Sequence, residues 1–463
     1  MTARVQGHIA VIDIGKTNAK LALVDPSDLS EIAVLTRPNT VLPGPPWPHF
    51  DVEGHWDFLL DALTTFHVQH GIAAITVTTH GASAVLLGHD GQLAAPVLDY
   101  EHDGPDALAA KYGAIRPDFS QTGSPNVGVG LNVGAQFHWQ FAIDPGLRDR
   151  VAHIVTYPQY WGYRLTGIAA TDVTSLGSHT DLWNPHEGRF SQLVDRLGIA
   201  GIIAAPRDCA DILGPVLPEV ATRTGLAPGT PVYCGIHDSN ASLLPHILGR
   251  SAPFSVVSTG TWVIVMTIGG ERVTLNPAQD TLIYVNALGQ PVPSARFMGG
   301  REFDIAMGGI TAEASPGDID QVLDSAVMLL PAVQPGIGPF RGRDSRWVGP
   351  DPAIGSGRRA AAVGFYLALV TTHCLTLTGH RGPVIVEGPF ARNRPYLEML
   401  AVACAAPVIA SGGATGTSQG AAMLVTQQPV PLAEQPVALD PTRAARLATY
   451  AANWSAAVGL SDS

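Results

Sequence analysis

The feature that most constrains the fold is a short pattern that the chain carries twice. Its first copy is a turn around Gly15 between the apolar residues 9–12 and 21–24, and its second is a turn around Gly260 within residues 254–266. Two β-rich arms joined by a glycine turn are typical of a tight hairpin, whose backbone N–H groups can converge on an anion. The repetition predicts two similar halves, each directing a glycine turn toward a shared cleft that could hold a polyphosphate from both sides.

Polar side chains at the first turn fit a phosphate site with a metal ion. Asp13 leaves the first arm, where it could hold Mg²⁺ through water, while Lys16, Thr17 and Asn18 follow Gly15 at the tip. So short a D-x-G-x-T pattern also recurs by chance, and the alternative for this stretch alone is a surface hairpin with incidental charges.

Composition excludes several classes of protein. The 463 residues are 46% hydrophobic and 14% charged, which indicates a globular chain with a sizeable core. The formal charge of −12 argues against a general nucleic-acid or membrane-surface role, because both need a basic face. It does not prevent phosphate binding, which local amides and a divalent cation can support.

Cysteine spacing and hydropathy favour a cytoplasmic protein. The four cysteines lie far apart without C-x-x-C spacing, so we expect buried, reduced thiols: Cys209, Cys234, Cys374 and Cys404. The start of the chain enters a strand within ten residues, and no signal peptide is expected. Residues 360–370 form the longest apolar segment, which is too short to span a bilayer and predicts a buried helix.

Candidate sugar contacts cluster after the first hairpin. Residues 51–70 have helical spacing, Gly71 ends the helix, and the β-branched residues 72–79 predict a strand that delivers His80 and Gly81 to its carboxyl end. Residues 96–132 are rich in Gly, Pro and polar side chains, as in a loop system over a site. Asp103 from this region and Gln159 further on join the candidates, although His80 could equally be a core histidine.

A second polar constellation surrounds Asp238. A short strand ends at Gly235, and a helix is predicted to begin near Asp238 or Ser239, which places the carboxylate at a positive helix terminus. The alternative is that Asp238 is a plain N-cap. The preceding His237 is a further candidate for sugar binding.

Together these stretches resemble the FGGY family of carbohydrate kinases. The resemblance rests on both glycine turns, on the G-x-H-D-x-x-A stretch at residues 235–241 and on Gly299-Gly300-Arg301-Glu302, and it runs over nearly the whole chain. Within the family it is nearest to the rhamnulokinase and fuculokinase branch. The resemblance implies that residues 13–17 are the first phosphate motif, that residues 258–262, including Thr259, Gly260 and Thr261, are the second, and that Asp238 is the catalytic base.

The adenosine region departs from the family pattern. A strand at residues 383–388 leads to Gly388, but Pro389 and Phe390 stand where small residues are usual. A helix follows at residues 393–405, then a strand and a second turn containing Gly412 and Gly413. Many relatives have a glutamate near Ser418, which this chain lacks. ATP remains the expected donor, with the purine contacts less well defined than the phosphate contacts.

The resemblance therefore implies an α/β protein with a two-domain actin- and hexokinase-like (ribonuclease H-like) fold and a central cleft. Residues 1–244 would form the sugar-binding domain and residues 245–463 the nucleotide-binding domain, with the last helix returning to the first domain. The expected reaction transfers the γ-phosphate of ATP, with Mg²⁺, to a terminal hydroxyl of a ketose. By resemblance, L-rhamnulose and L-fuculose head the list.

Several alternatives stay open at this point. Xylulose, ribulose, erythrulose and glycerol are other acceptors, and a homodimer is allowed for. A chaperone-type ATPase would not need Asp238 opposite the phosphates. A non-catalytic sugar or nucleotide sensor is disfavoured by the intact Asp13, Thr17 and Asp238.

Overall fold

The computed structural model describes residues 7–412, 416–429 and 433–460, which divide into two compact units. The first unit comprises Met1–Arg250, Ile283–Pro291 and Thr415–Val430. The second comprises Ser251–Leu282, Val292–Ala414 and Pro431–Ser463.

A mixed sheet forms the core of the first unit. Its strands lie in the order Glu31–Pro38, Asn18–Val24, His8–Ile14, Ile72–Thr79, Pro231–Tyr233 and Ile212–Pro215, and Ile236–His237 also pairs with Ile72–Thr79. The first three strands are antiparallel neighbours, whereas His8–Ile14, Ile72–Thr79 and Pro231–Tyr233 run parallel.

The second unit repeats this arrangement. The second sheet, which belongs mostly to this unit, has the order Thr281–Val285, Pro291–Phe297, Val263–Ile268, Phe254–Thr259, Val384–Glu387, Val408–Ser411 and Glu434–Pro436. Here too an antiparallel hairpin continues into a parallel neighbour, Val384–Glu387, which is followed by the parallel strand Val408–Ser411. The duplication predicted from the two glycine turns is therefore confirmed in the strand order of the two sheets.

Helices and short strand pairs complete both units. The helices of the first unit are Val52–His70, Ala109–Ile115, Phe119–Thr122, Val133–Ile143, Leu147–Arg150, Tyr157–Thr166, Val173–Leu176, Gln192–Arg196, Pro218–Thr224, Asp238–Gly249 and Thr417–Thr426. Those of the second are Gly299–Met307, Pro316–Ser325, Gly357–Leu377, Arg394–Ala403 and Pro441–Val458. Short paired strands are Val41–Leu42 with His49–Phe50, Ala84–Gly88 with Val151–Thr156, Trp183–Asn184 with Arg189–Phe190, Thr171–Asp172 with Pro206–Arg207, and Met328–Leu330 with Arg346–Val348.

Helix Val52–His70 shows how local sequence sets these elements. The Asp51 side chain caps it by accepting a hydrogen bond from the Gly54 amide, and Gly71, with φ of 77°, ends it. Leu59, Leu63 and Phe66 are buried against the first sheet, so the predicted helix and the strand after it are confirmed.

The apolar helix predicted around residues 360–370 is Gly357–Leu377, the central helix of the second unit's core. It is long and apolar enough to cross a membrane by length and composition, but 78% of its most apolar window is buried inside the protein. The cysteines are free thiols, as expected, with Cys209, Cys234 and Cys374 buried and Cys404 half-buried.

The C-terminal segments differ from the expectation. The last helix, Pro441–Val458, belongs to the second unit, where Tyr450 and Trp454 are buried. The segment that returns to the first unit is helix Thr417–Thr426, which packs on helix Asp238–Gly249. Gly420 allows this because its α-carbon lies against the Ala241 carbonyl, with no room for a side chain.

Candidate functional site

The first glycine turn is a closed hairpin tip. The Gly15 amide donates to the Asn18 carbonyl at 2.9 Å. The Asn39 side-chain amide, which lies outside the turn, donates to the Gly15 carbonyl at 2.8 Å. The backbone amide of Asn39 also donates to the Thr17 carbonyl, at 2.9 Å. The side chains of Thr17 and Asn18 are exposed at this tip, where they can contact a ligand.

Asp13 lies at the carboxyl end of the first strand with two close partners. The Thr417 hydroxyl donates to Asp13 Oδ2 at 2.6 Å, and Lys20 Nζ lies 3.1 Å from the same oxygen. Burial raises the pKa of the Asp13 carboxyl, Lys20 and Thr417 oppose the rise, and the charge of Asp238 adds to it. The charge of Asp238 therefore acts on the Asp13 carboxyl.

Asp238 is the first residue of helix Asp238–Gly249 and is held by its neighbours in sequence. Its Oδ1 accepts a hydrogen bond from the Ser239 amide at 2.6 Å, and His237 Nε2 lies 3.2 Å from the same oxygen. Because the Asn240 amide donates to His237 Nδ1 at 3.3 Å, the proton of this imidazole sits on Nε2 and points at Asp238. The arrangement fixes the orientation of the carboxylate.

Two of the predicted sugar contacts, Gly81 and Gln159, support this arrangement. A Cβ on Gly81 would lie 2.6 Å from His237 Nε2, so Gly81 provides the space that His237 occupies. Gln159 is fully buried, and its amide donates to the carbonyls of Cys234 at 3.0 Å and Gly235 at 3.3 Å. Gln159 thus fixes the strand end that precedes Asp238.

His80 lies in an aromatic enclosure with one nitrogen available. Its ring centroid is 5.0 Å from those of Phe50 and Tyr157 and 5.2 Å from that of Tyr100. Nδ1 donates to the Gly81 carbonyl at 2.9 Å, which leaves Nε2 as an acceptor, buried and without a partner among the described residues. Burial lowers the pKa of His80 to about 4, so this acceptor is present at neutral pH.

The acidic side chain that faces this region is Asp99 rather than Asp103. The Asp103 side chain is 85% exposed, whereas Asp99 is buried and pairs with Lys16. Glu101 lies 3.2 Å from the same ammonium, which also sits 4.6 Å from the Tyr100 ring centroid. Lys16, expected at the phosphates, is therefore held by two carboxylates of the following loop.

In the second unit, the glycine turn adjoins a cavity. The Thr259 hydroxyl bonds the Glu387 carbonyl and accepts from the Phe390 amide at 3.1 Å, so it holds the following turn rather than facing a ligand. Gly388, with φ of 81°, lies directly against the Thr259 carbonyl. Gly260 and Thr261 line the cavity, which has a volume of about 660 Å³.

The walls of this cavity combine aromatic and charged groups. Phe303 and Phe390 have ring centroids 6.2 Å apart. Pro389 and Phe390, the two residues that depart from the family pattern, both line the cavity. Asp304, Glu313, Arg392, Asn393 and Arg394 supply polar groups. Of the other predicted nucleotide contacts, Gly412 donates its amide to the Ala433 carbonyl at 2.8 Å, and Gly413 lies outside the described residues.

Family models match nearly all of the chain. The model for the N-terminal domain of the FGGY family of carbohydrate kinases matches residues 8–245, and the model for the C-terminal FGGY domain matches residues 251–434. The chain belongs to the FGGY family. It has the two-domain FGGY carbohydrate kinase fold, an α/β fold in which each unit contains a sheet of mixed parallel and antiparallel strands.

Individual relatives agree on the family and differ in substrate. A carbohydrate kinase from Novosphingobium aromaticivorans superposes with a TM-score of 0.90 at 35% identity, covering 97% of this chain and 100% of that one. L-fuculokinase of Salmonella typhi is 25% identical over 275 residues, 58% of this chain and 57% of that protein. An Escherichia coli L-xylulose/3-keto-L-gulonate kinase is 24% identical over 280 residues, 56% of this chain and 53% of that protein. The chain thus spans little more than half the length of these two curated relatives, and the predicted fuculokinase branch is not confirmed.

The residues of the FGGY site fit a magnesium ion held mainly by phosphate and water. No group of three or more His, Cys, Asp or Glu side chains suited to a metal occurs in the part of the chain that the structure describes. Mg²⁺ in nucleotide sites, however, needs only one or two carboxylates beside the phosphates. Asp13 offers one such carboxylate, which Thr417 and Lys20 hold in place.

Four polar residues of this region were missed by sequence reasoning. Thr417 is 404 residues from its partner Asp13, and Lys20 lies beyond the hairpin tip. Asp99 and Asn39 reach the site from loops whose course the sequence pattern did not define. Only Lys20 had a signal in the sequence: side chains alternate between the two faces of a strand, so Lys20 lies on the same face as the candidate Asn18.

Proposed function

We propose that this FGGY-family protein transfers the γ-phosphate of ATP to a terminal hydroxyl of a neutral ketose. The observation that carries the proposal is the oriented carboxylate of Asp238, which bonds the Ser239 amide at 2.6 Å and belongs to the same unit as Asp13. We assign the sugar to the first unit and adenosine to the cavity of the second. An ATP-dependent sugar kinase is consistent with the predicted cytoplasmic location. A homodimer stays a prediction.

Asp238 would accept the proton of the sugar hydroxyl late in the reaction. The pKa of a sugar hydroxyl lies far above the ~4 of a free aspartate, so full deprotonation by aspartate before attack is too costly a route. In a loose transition state the hydroxyl becomes acidic only as its bond to phosphorus forms. Asp238, held by Ser239 and His237, would orient the hydroxyl and receive the proton at that stage.

Stabilisation of the phosphoryl group would supply the larger part of the rate enhancement. The amides of the first hairpin tip and of the turn at Gly260 are the candidate donors to phosphate oxygens. Bound Mg²⁺ would neutralise charge on those oxygens. Asp13 would hold its water ligands, and Thr417 and Lys20 keep the Asp13 carboxylate in place.

The charges around His80 favour a neutral sugar over a sugar acid. Burial raises the pKa of Tyr100, and the neighbouring Glu101, Asp238 and Asp99 raise it further, so three carboxylates surround this ring beside His80. Lys16, the nearby cation, is already paired with two of them. A substrate carboxylate would meet repulsion from these charges, whereas a neutral hydroxyl would not.

Among neutral ketoses we favour L-fuculose and L-rhamnulose. The similarity to L-fuculokinase supports this choice, and the similarity to the E. coli enzyme supports L-xylulose as the second candidate. Of that enzyme's two named substrates, the charge argument selects L-xylulose over 3-keto-L-gulonate. Ribulose, erythrulose and glycerol remain candidates from the resemblance alone.

A panel of neutral ketoses, polyols and sugar acids, measured by coupled detection of ADP, tests the proposal. The expected result is ADP release that depends on one neutral ketose and stays at background with 3-keto-L-gulonate and gluconate. Release that needs no sugar would indicate an ATPase, no turnover would indicate a sensor, and a sugar acid as the best acceptor would contradict the charge argument.

A further inference from the structure

A chain of buried and half-buried hydrogen bonds connects the first hairpin tip to the start of helix Val52–His70. Asp51 pairs with Arg37, and Arg37 Nη1 lies 2.8 Å from His55 Nδ1. His55 Nε2 lies 2.8 Å from Asn39 Oδ1, and the Asn39 side-chain amide donates to the Gly15 carbonyl at 2.8 Å. None of these four side chains belongs to the predicted site.

The donors and acceptors of this chain permit a single assignment. Arginine can only donate, so His55 Nδ1 accepts and the imidazole proton sits on Nε2. Nε2–H then donates to Asn39 Oδ1, which directs the Asn39 amide group toward Gly15. The identity of each group thus fixes the orientation of the next, from Arg37 to the hairpin tip.

Burial makes this order strict. His55 is 0% exposed and Asn39 is 8% exposed, so water does not replace a lost partner. Gly54, in the first turn of the helix, is part of the arrangement, since a Cβ there would overlap the ends of the Asp51 and Arg37 side chains.

We propose that Asn39 and His55 are positioning residues for phosphate binding: His55 orients the Asn39 side chain, which donates to the Gly15 carbonyl and thereby helps to aim the amides of the hairpin tip. The role in catalysis rests on the proposed kinase function. The effect on tip geometry and on nucleotide affinity does not require turnover. A side chain that acted only on folding would affect both substrates alike.

The test is Asn39→Asp, which keeps the shape and the acceptor for His55 but places a carboxylate oxygen against the Gly15 carbonyl. Thr36→Ala, an exposed residue on strand Glu31–Pro38, which directly precedes Asn39, is the matched control. We expect Asn39→Asp to raise the KM for ATP and the Kd for ADP by about five- to tenfold, the effect of one buried hydrogen bond, with the KM for the sugar within about twofold. Deuterium exchange of the amides of residues 15–18 should rise in parallel.

Equal rises in both KM values, or unchanged ADP affinity and exchange, would overturn the proposal. If Asn39→Asp does not fold, Gly54→Ala replaces it, because alanine suits a helix and only the ends of two side chains must move. This variant should weaken ADP binding in the same direction. Absence of sugar-dependent ADP release from the wild type would reject the kinase function, while the ADP affinity and exchange measurements would still decide the role of Asn39 and His55.

Discussion

Acidification from pH 7 to pH 5 should destabilise the first unit through His55, a residue far from solvent. Burial and the adjacent Arg37 lower the pKa of His55 from 6.5 to about 4. The unfolded chain therefore binds a proton that the folded chain excludes. The stabilisation is complete above pH 6.5 and is lost as the pH falls toward the folded pKa of about 4.

The size of the effect follows from these two pKa values. Between pH 7 and pH 5 the preferential protonation of unfolded His55 removes about 2 kcal/mol from the free energy of unfolding. His55→Gln cannot titrate and should lose about 2 kcal/mol less than the wild type over this range. Carboxylates and His80 contribute to both proteins and cancel in the comparison.

Urea denaturation at the two pH values measures this difference. Trp161, whose ring centroid lies 6.3 Å from that of His55, provides a local fluorescence signal for the first unit. His186→Gln, the same substitution at an exposed position, is the control. Equal losses in the wild type and His55→Gln would refute the assignment of a neutral, buried His55.

Two further substitutions separate structural from chemical roles. Gln159→Leu should lower the free energy of unfolding of the first unit by about 1–3 kcal/mol, because it leaves buried carbonyls unpaired. The KM for the sugar should stay within about twofold of the wild-type value. A large rise in that KM at unchanged stability would instead make Gln159 a sugar contact. Asp13→Asn should reduce kcat by about 10²-fold or more and raise the Mg²⁺ concentration needed for the half-maximal rate. The reason is that it removes the carboxylate expected to hold the water ligands of the ion. An unchanged dependence of the rate on Mg²⁺ concentration would contradict that role.

The elements of the fold were largely predictable because their signals are local. Glycine turns between β-branched arms specified both hairpins, and Asp51 and Gly71 marked the ends of one helix. The repeated pattern also predicted two similar halves, which the strand orders of the two sheets confirm. The fate of the C-terminal helices was not predictable, because it depends on the close approach of Gly420 to Ala241, which are distant in sequence.

The site was predictable only where one segment supplies it. Asp238, His237 and Ser239 are adjacent and form one unit of structure, as the stretch suggested. Asp99 could not be distinguished from Asp103, since both occur in one polar loop and only the folded chain buries the first. Gln159 resembled a sugar contact because a buried amide has the same side-chain chemistry as one exposed to a ligand.

The role of Asp238 is the central claim, and a comparison of the wild type with Asp238→Asn tests it most directly. With the preferred ketose and ATP, the wild type should release one ADP for each sugar phosphate formed. Asp238→Asn should bind ADP with unchanged affinity while its kcat falls by about 10²–10⁴-fold, the range for loss of a proton acceptor. Near-normal transfer by Asp238→Asn would contradict the account.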